Sequence, residues 1–481
     1  MAERGTSVRT EVLGGFTTFA TMAYIIVVNP AILAFAGLPI GPSTVATILV
    51  AVFGCLLMGL YANRPIAIAP YMGENAFIAF GLAAITIAGT PITWQQRLGA
   101  VFVAGLLFVV ITFLGLRQWL ANAISLSMKH SFAAGIGLFL AFIGLYETGI
   151  VTSFAEGVPA DVLRVGDTPL LGKPAVPVKI GNLHDTKVLL AVGGFVLTAV
   201  LLARGWKAAL LIGIVVTAVA GSLVGVGAVP RAVVALPFTG EYSLATIAFQ
   251  LDIAGVLTLS ALPILLTLFL MSFFDTLGTL AAVGAAGEML DEKGNFPEPE
   301  KPMLADAATC VFASLVGSST SGAYIESATG IRAGARTGLA AVVTGLLFAV
   351  SLFFIPLVQP FQTLTYAYCP ALIVVGVMMM GSVRKIDFDD FTEAVPAFAT
   401  LVMIVFTYNI AERPDGRLDS VSGVEAVRRP SSRGERRLHC AGAALFAVLH
   451  VWVAPLRRIH LRLTAISGRA IAGCRGSRSR A

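Results

Sequence analysis

Arg64-Pro-Ile-Ala-Ile-Ala-Pro-Tyr-Met-Gly73 and Gly317-Ser-Ser-Thr-Ser-Gly-Ala-Tyr-Ile-Glu326 are the two stretches on which the fold turns. Each interrupts a chain that is otherwise strongly apolar. In the first, residues ahead of the prolines avoid the helical region, so the backbone is extended before a helix-like run, Glu74-Asn-Ala-Phe-Ile-Ala-Phe80. In the second, polar and Gly-rich residues precede Ser327-Ala-Thr-Gly330. Irregular backbone at membrane depth is tolerated only where protein or a cavity covers it. Two Gly/Pro-interrupted segments in corresponding halves point to a solute site between two structural repeats.

Working outward, 57% of the 481 residues are apolar and 12% are charged, with a mean hydropathy of +0.86. A soluble domain carries about 25% charge. Half of that excludes a soluble enzyme, a disordered chain and a nucleic-acid-binding module. The 49 glycines suit helices that approach closely in lipid. A spanning helix takes roughly 20 apolar residues, and about thirteen apolar segments lie between residues 14 and 410. The class is an all-α polytopic membrane protein lodged in the lipid bilayer.

The net charge of +6 conceals two regions. Residues 1–410 carry 19 Lys and Arg against 22 acids, whereas residues 411–481 carry 14 Arg, no Lys and 5 acids. With a cytoplasmic N-terminus and alternating spans, 13 of the 19 early cations fall inside, as the positive-inside rule requires. Residues 1–13 are then a cytoplasmic N-terminus and 230–253 an extracytoplasmic loop. No cleavable leader is read, since the apolar stretch after Arg9 is too long for one. The five cysteines form no CxxC pair, so no metal site is expected and they read as buried apolar residues.

The halves correspond. Asn75 and Glu326 are 251 residues apart, as are Tyr24 and Asp275. Both Asn75 and Glu326 are expected to open a half-helix after a break. Asp275 lies within Leu268-Phe-Leu-Met-Ser-Phe-Phe-Asp-Thr-Leu-Gly-Thr-Leu280, far from any flanking charge. A mid-membrane carboxylate costs roughly 2.5–3.5 kcal/mol on insertion scales and usually marks an ion or substrate pathway. A structural carboxylate bonded to a neighbouring helix is the alternative. Glu326 sits where free helix N–H groups stabilise an anion or bind polar ligands; simple capping is its alternative. The Asn75 amide both donates and accepts, and it too could serve as a cap. Thr279, one turn after Asp275, shares its face. Glu74 reads as a dipole partner at a helix start, and Asn29-Pro30 as the structural end or kink of the first span.

Four motifs, in order, resemble the AzgA-like purine permeases of nucleobase–cation symporter family 2. They are Thr17-Thr-Phe-Ala-Thr-Met-Ala-Tyr-Ile-Ile-Val-Val-Asn-Pro30, Met72-Gly-Glu-Asn-Ala-Phe77, Phe273-Phe-Asp-Thr-Leu-Gly-Thr279 and Ala323-Tyr-Ile-Glu-Ser-Ala-Thr-Gly-Ile-Arg-Ala-Gly-Ala-Arg-Thr-Gly338. The resemblance covers about residues 8–410. It implies a uracil-permease-like fold of fourteen segments in two inverted repeats of seven, with a core domain, a gate domain and short strands at the broken third and tenth segments. The repeats would be 14–229 and 254–410. It also implies that Asp275 and Glu326 bind the polar edge of a purine, with Asn75, Tyr324 and Thr279 close by. Adenine, guanine and hypoxanthine would be imported by proton symport, Asp275 and Glu326 coupling the proton. The proton gradient would supply the energy, with no cofactor. Homodimers occur among such relatives. A related symporter for uracil, xanthine or another small solute is the alternative. A membrane enzyme or channel is disfavoured, since no nucleophile–base pair, HExxH or phosphate loop is present.

The chain departs from the family pattern after Ile410, where the second repeat should finish two more spans. The Arg-only basic composition of 411–481 resembles an out-of-frame reading of a GC-rich gene, which would make this an inactive copy. An authentic basic regulatory tail is the other reading.

Overall fold

A backbone in lipid must satisfy its own hydrogen bonds, and helices do so within one segment. The protein, here a computed structural model, is described over residues 5–87, 90–115, 125–154, 156, 164–165, 168–169, 178–230, 232–289, 296 and 298–407. The expectations for the tail, including Cys440 and Cys474, lie outside these residues. Among the described residues, eight helical segments are long and apolar enough to cross a membrane.

The chain begins with α1 (Val8–Met22), α2 (Ile25–Phe35) and α3 (Ile40–Leu60). The first break follows as strand β1 (Ile68–Pro70) and the half-helix α4 (Met72–Ala79). Next come α5 (Trp94–Phe113), α6 (Leu126–Glu147), α7 (Thr186–Ala203) and α8 (Ala209–Leu223). The second half holds α9 (Leu262–Ala286) and α10 (Glu300–Val316), then strand β2 (Ser321–Ala323) and the half-helix α11 (Ser327–Arg332). It continues through α12 (Gly338–Ser351), α13 (Thr365–Met379) and α14 (Phe391–Thr407).

The two breaks meet. β1 and β2 pair antiparallel, with Ile68 opposite Ala323, Ala69 opposite Gly322 and Pro70 opposite Ser321. Every residue of this ribbon is buried. Further short strand pairs lie in the loops, including Val151–Ser153 with Val178–Ile180. The all-α expectation had no such loop strands.

The helices pack in two groups. In one, α12 lies against α1 and α3, α10 against α3 and α5, and α9 against α5. In the other, α6 lies against α13 and α14, and α13 against α7 and α8. The strand–half-helix pairs belong to the first group, where β1 packs on α3 and β2 on α10.

Local sequence explains the boundaries. The expected end of the first span at Asn29-Pro30 is not where the helix stops. α2 runs through Pro30 to Phe35, and the break falls earlier, at Ala23-Tyr24. Proline offers no N–H to the carbonyl four residues back. That carbonyl, on Ile26, instead accepts from Gln362 Nε2 at 2.8 Å, so the helix survives its proline. At the other end of the site, Gly317 ends α10 in the left-handed region with φ of 89°, a conformation glycine adopts without a Cβ clash.

Candidate substrate site

The site grows from the two breaks and the helix that passes them. α9 carries Asp275, with Ser272 and Thr276 on neighbouring turns and Thr279 one turn on. α11 begins at Glu326, its N-cap residue, and Tyr324 precedes it at the end of β2. Glu326 makes no side-chain capping bond. Its Oε1 accepts the Tyr24 hydroxyl at 2.9 Å. The capping alternative is thereby removed. The half-helix itself has 6 residues, so a macrodipole argument contributes little here.

Asp275 and Glu326 lie close enough for their carboxylates to interact electrostatically. Both are partly exposed. Tyr324 sits within electrostatic reach of both acids and is 5% exposed. Its hydroxyl donates to the Pro70 carbonyl across the ribbon. Its ring runs nearly parallel to that of Tyr71, with centroids 6.4 Å apart and planes 11° apart. The result is two acceptor-rich groups beside rigid aromatic surface, which suits a flat, donor-bearing heterocycle. Gly322 is required at this point, because a Cβ there would overlap the Tyr71 ring.

Asn75 behaves differently from expectation. It lies inside α4, whose N-cap is Tyr71. It is fully buried, and its Nδ2 donates to Asn29 Oδ1 at 2.7 Å. Asn29 is the hub: its own Nδ2 donates to Thr47 Oγ1 at 2.7 Å, and Ser319 Oγ donates to its Oδ1 at 3.3 Å. The Asn75 carbonyl has no hydrogen-bond partner. Thus the two residues 251 apart do not hold equivalent places. The strands begin 253 residues apart and the half-helices 255 apart. The offset grows because Tyr71 alone separates β1 from α4, whereas Tyr324, Ile325 and Glu326 separate β2 from α11. Thr279 is buried on α9.

Sequence reasoning missed three contributors. Tyr24 entered only as a repeat marker, yet it holds Glu326. Arg97 is 7% exposed and donates from Nη1 to the carbonyls of Ile78 and Ala79 at 2.9 and 3.0 Å. A cation at the C-terminal end of α4 offsets the partial negative charge there and fixes the half-helix. Asp306 on α10 is fully buried and meets Thr276. Its sequence neighbourhood, Glu300-Lys-Pro-Met-Leu-Ala-Asp306, reads as an interfacial helix start, which masked it. Beside the partly exposed Asp275 and Glu326, the carboxylates of Glu74 and Asp306 are fully buried in this region. Among the described residues, no three His, Cys, Asp or Glu gather as a metal site.

Two helix breaks joined by an antiparallel ribbon inside an apolar bundle define a membrane permease architecture. The sequence profile of the Permease family, the xanthine and uracil permeases, matches residues 9–416, and the chain belongs to that family. It is a multi-pass membrane transporter and not an enzyme. It is 44% identical over 407 residues to protein MJ0326 of Methanocaldococcus jannaschii, covering 85% of this chain and 87% of that one. It is 38% identical to the adenine permease AdeP of Escherichia coli K12, covering 86% of each. The guanine/hypoxanthine permease PbuG of Bacillus subtilis is 39% identical, covering 85% of this chain and 89% of that one. The fold matches the transmembrane domain of the cyanobacterial bicarbonate transporter BicA with a TM-score of 0.58 at 16% identity, over 83% of this chain and 95% of that one.

Proposed function

We propose that the protein imports purine nucleobases, namely adenine, guanine or hypoxanthine, by proton symport across the cell (inner) membrane, with its N-terminus in the cytoplasm. The observation that carries this reading is that Asp275 and Glu326 lie within electrostatic range of each other and of Tyr324, whose ring runs parallel to that of Tyr71. Purine N–H groups would donate to the two carboxylates, while the ring system would lie against aromatic surface. The names of relatives that cover most of both chains, an adenine permease and a guanine/hypoxanthine permease, support a purine. In this reading Asn75 orders α4 through Asn29, and Tyr324 and Thr279 shape the pocket. The first packing group is the core domain and the second the gate, and the repeats are 14–229 and 254–410. Rocking of one group against the other would expose the site alternately to each side. No cofactor is needed; the proton gradient drives accumulation.

The test loads cells expressing the chain with labelled adenine, guanine and hypoxanthine, in competition with unlabelled uracil, xanthine and sulfate. Uptake is measured with and without a protonophore at fixed sodium. Purine accumulation abolished by the protonophore is expected. Competition by uracil or sulfate and not by purines would overturn the substrate class. Accumulation that ignores the protonophore and follows sodium would overturn the coupling.

A further inference from the structure

We propose that Glu11 and Thr21 on α1 are positioning residues for substrate: they splint the half-helix α11, so that the Glu326 carboxylate stands where a purine meets it. The proposal rests on the reading of the protein as a purine importer in which Glu326 binds substrate.

α11 has 6 residues. A helix this short holds few hydrogen bonds of its own, so its place is set by what it packs on. α1 packs along it and along α12. Glu11, Gly14, Thr18 and Thr21 recur at spacings of three and four, which puts them on one face of α1. Their contacts run antiparallel to the segment 326–337. Glu11 Oε1 accepts from the backbone N–H of Arg336 at 2.7 Å and of Thr337 at 3.0 Å. A Cβ on Gly14 would stand 2.6 Å from Ala335 Cβ, and a Cβ on Gly330 would stand 2.2 Å from Thr18 Oγ1. The Thr21 and Thr329 hydroxyls are 3.2 Å apart. The Thr329 hydroxyl in turn donates to the Glu326 backbone carbonyl at 2.7 Å.

Glu11 is the far anchor. It is fully buried and grips the elbow between α11 and α12. Arg336, whose N–H it accepts, turns its guanidinium back onto the carbonyls of Ile331 and Ala335, at 2.6 and 2.8 Å. One carboxylate thereby fixes the end of α11 to α1. At 1.5 Å per residue, Glu11 lies about 15 Å along α1 from Thr21, so it acts on the site only through the half-helix.

Glu326 is held from two sides. Tyr24 fixes its carboxylate, while Glu11 and Thr21 fix the helix that carries it. Loss of either tie lets α11 shift on α1 and widens the range of positions open to the carboxylate. Ordering it then becomes part of binding, which raises Kd. Thr344 supplies the contrast: its hydroxyl also ties α1, to the Gly15 carbonyl at 3.1 Å, but from α12.

The experiment purifies the whole native chain, Glu11→Ala, Glu11→Gln, Thr21→Val and Thr344→Val. Equilibrium binding of labelled adenine, guanine and hypoxanthine gives Kd and the number of sites per folded molecule. Glu11→Ala and Thr21→Val should each raise Kd about fivefold or more, the scale of coupling within one hydrogen-bond network, with the number of sites unchanged. Glu11→Gln keeps an acceptor oxygen for both N–H groups and should stay within about twofold of the native Kd, the scatter of uncoupled sites. Thr344→Val should leave Kd unchanged. An unchanged Kd in Thr21→Val, or in folded Glu11→Ala, overturns the proposal, even if the yield of folded protein falls, because the α1 face is then scaffold alone. An equal rise in Thr344→Val overturns it too, since any loosening of α1 would suffice. Thr21→Val carries the test if Glu11→Ala does not fold. A native chain that binds no purine overturns the functional reading and this proposal with it, whereas native binding with unaffected variants overturns the proposal alone.

Discussion

The Tyr24 hydroxyl donates to Glu326 Oε1 at 2.9 Å, tying the break in the first apolar segment to the start of the second half-helix. Both residues lie at points where a helix is interrupted. The bond therefore joins two irregular segments that are 302 residues apart in sequence. It orients the carboxylate without neutralising it, so Glu326 remains an acceptor.

Tyr24→Phe removes only that hydroxyl. A hydrogen bond to a charged group is worth about 1.5–3 kcal/mol, so purine affinity should fall about tenfold or more. The ring remains, so the membrane level should not change. Binding measured on purified protein checks this, and an unchanged affinity would detach Tyr24 from the site.

Asp275→Asn and Glu326→Gln keep shape and remove charge. Each should lower purine uptake by about tenfold to a hundredfold, the scale of a lost charged hydrogen bond, with the protein still present in the membrane. Uptake of labelled purine at matched expression is the measurement. Near-native transport by either variant would remove that residue from the site.

Asn29→Ala should destabilise more than Asn75→Ala. The first substitution strips partners from Asn75, Thr47 and Ser319 at once. The second leaves Asn29 bonded to Thr47 and Ser319. Leaving a buried polar group unpaired costs about 1–3 kcal/mol. Thermal melts in detergent should rank the two, and equal melting temperatures would mean that Asn29 is no hub.

Gly322→Ala places a methyl group against the Tyr71 ring inside the paired strands. Overpacking of this kind costs about 1–3 kcal/mol. Tyr71 must also shift away from Thr276, so transport should fall more than the amount of folded protein. Transport and folded fraction, measured on one preparation, separate the two effects.

Restoring an alternative reading frame near Ile410 should yield an apolar continuation of about 60 residues, long enough for two spans of roughly 20 residues each, and should raise purine uptake. The chain with its Arg-rich tail and the frame-restored chain are compared at equal membrane level. Equal transport by the two would make the tail a working part of the protein.

The sequence by itself determined the class and the two places where the helices break. Low charge and long apolar runs leave lipid as the only compatible solvent, and in lipid a run of Pro, Gly and polar residues needs protein around it. The breaks at 64–73 and 317–326 therefore announced themselves, as did Asp275, a lone carboxylate in a run of apolar residues. Glu326 was legible for the same reason, whereas Tyr324 entered only through the family resemblance. Other features had no local signal. The pairing of Pro70 with Ser321, the bond from Tyr24 to Glu326 and the meeting of Asp306 with Thr276 join residues 251, 302 and 30 apart. A hydrogen bond depends on distance and direction in space, and residue type alone fixes neither. Asn75 shows the limit: residue type alone allowed a cap, and its position one turn into α4 instead brings its amide to Asn29. Only the tertiary structure decided which polar groups face open space and which are sealed, because that depends on how α9, α10 and the two half-helices pack together.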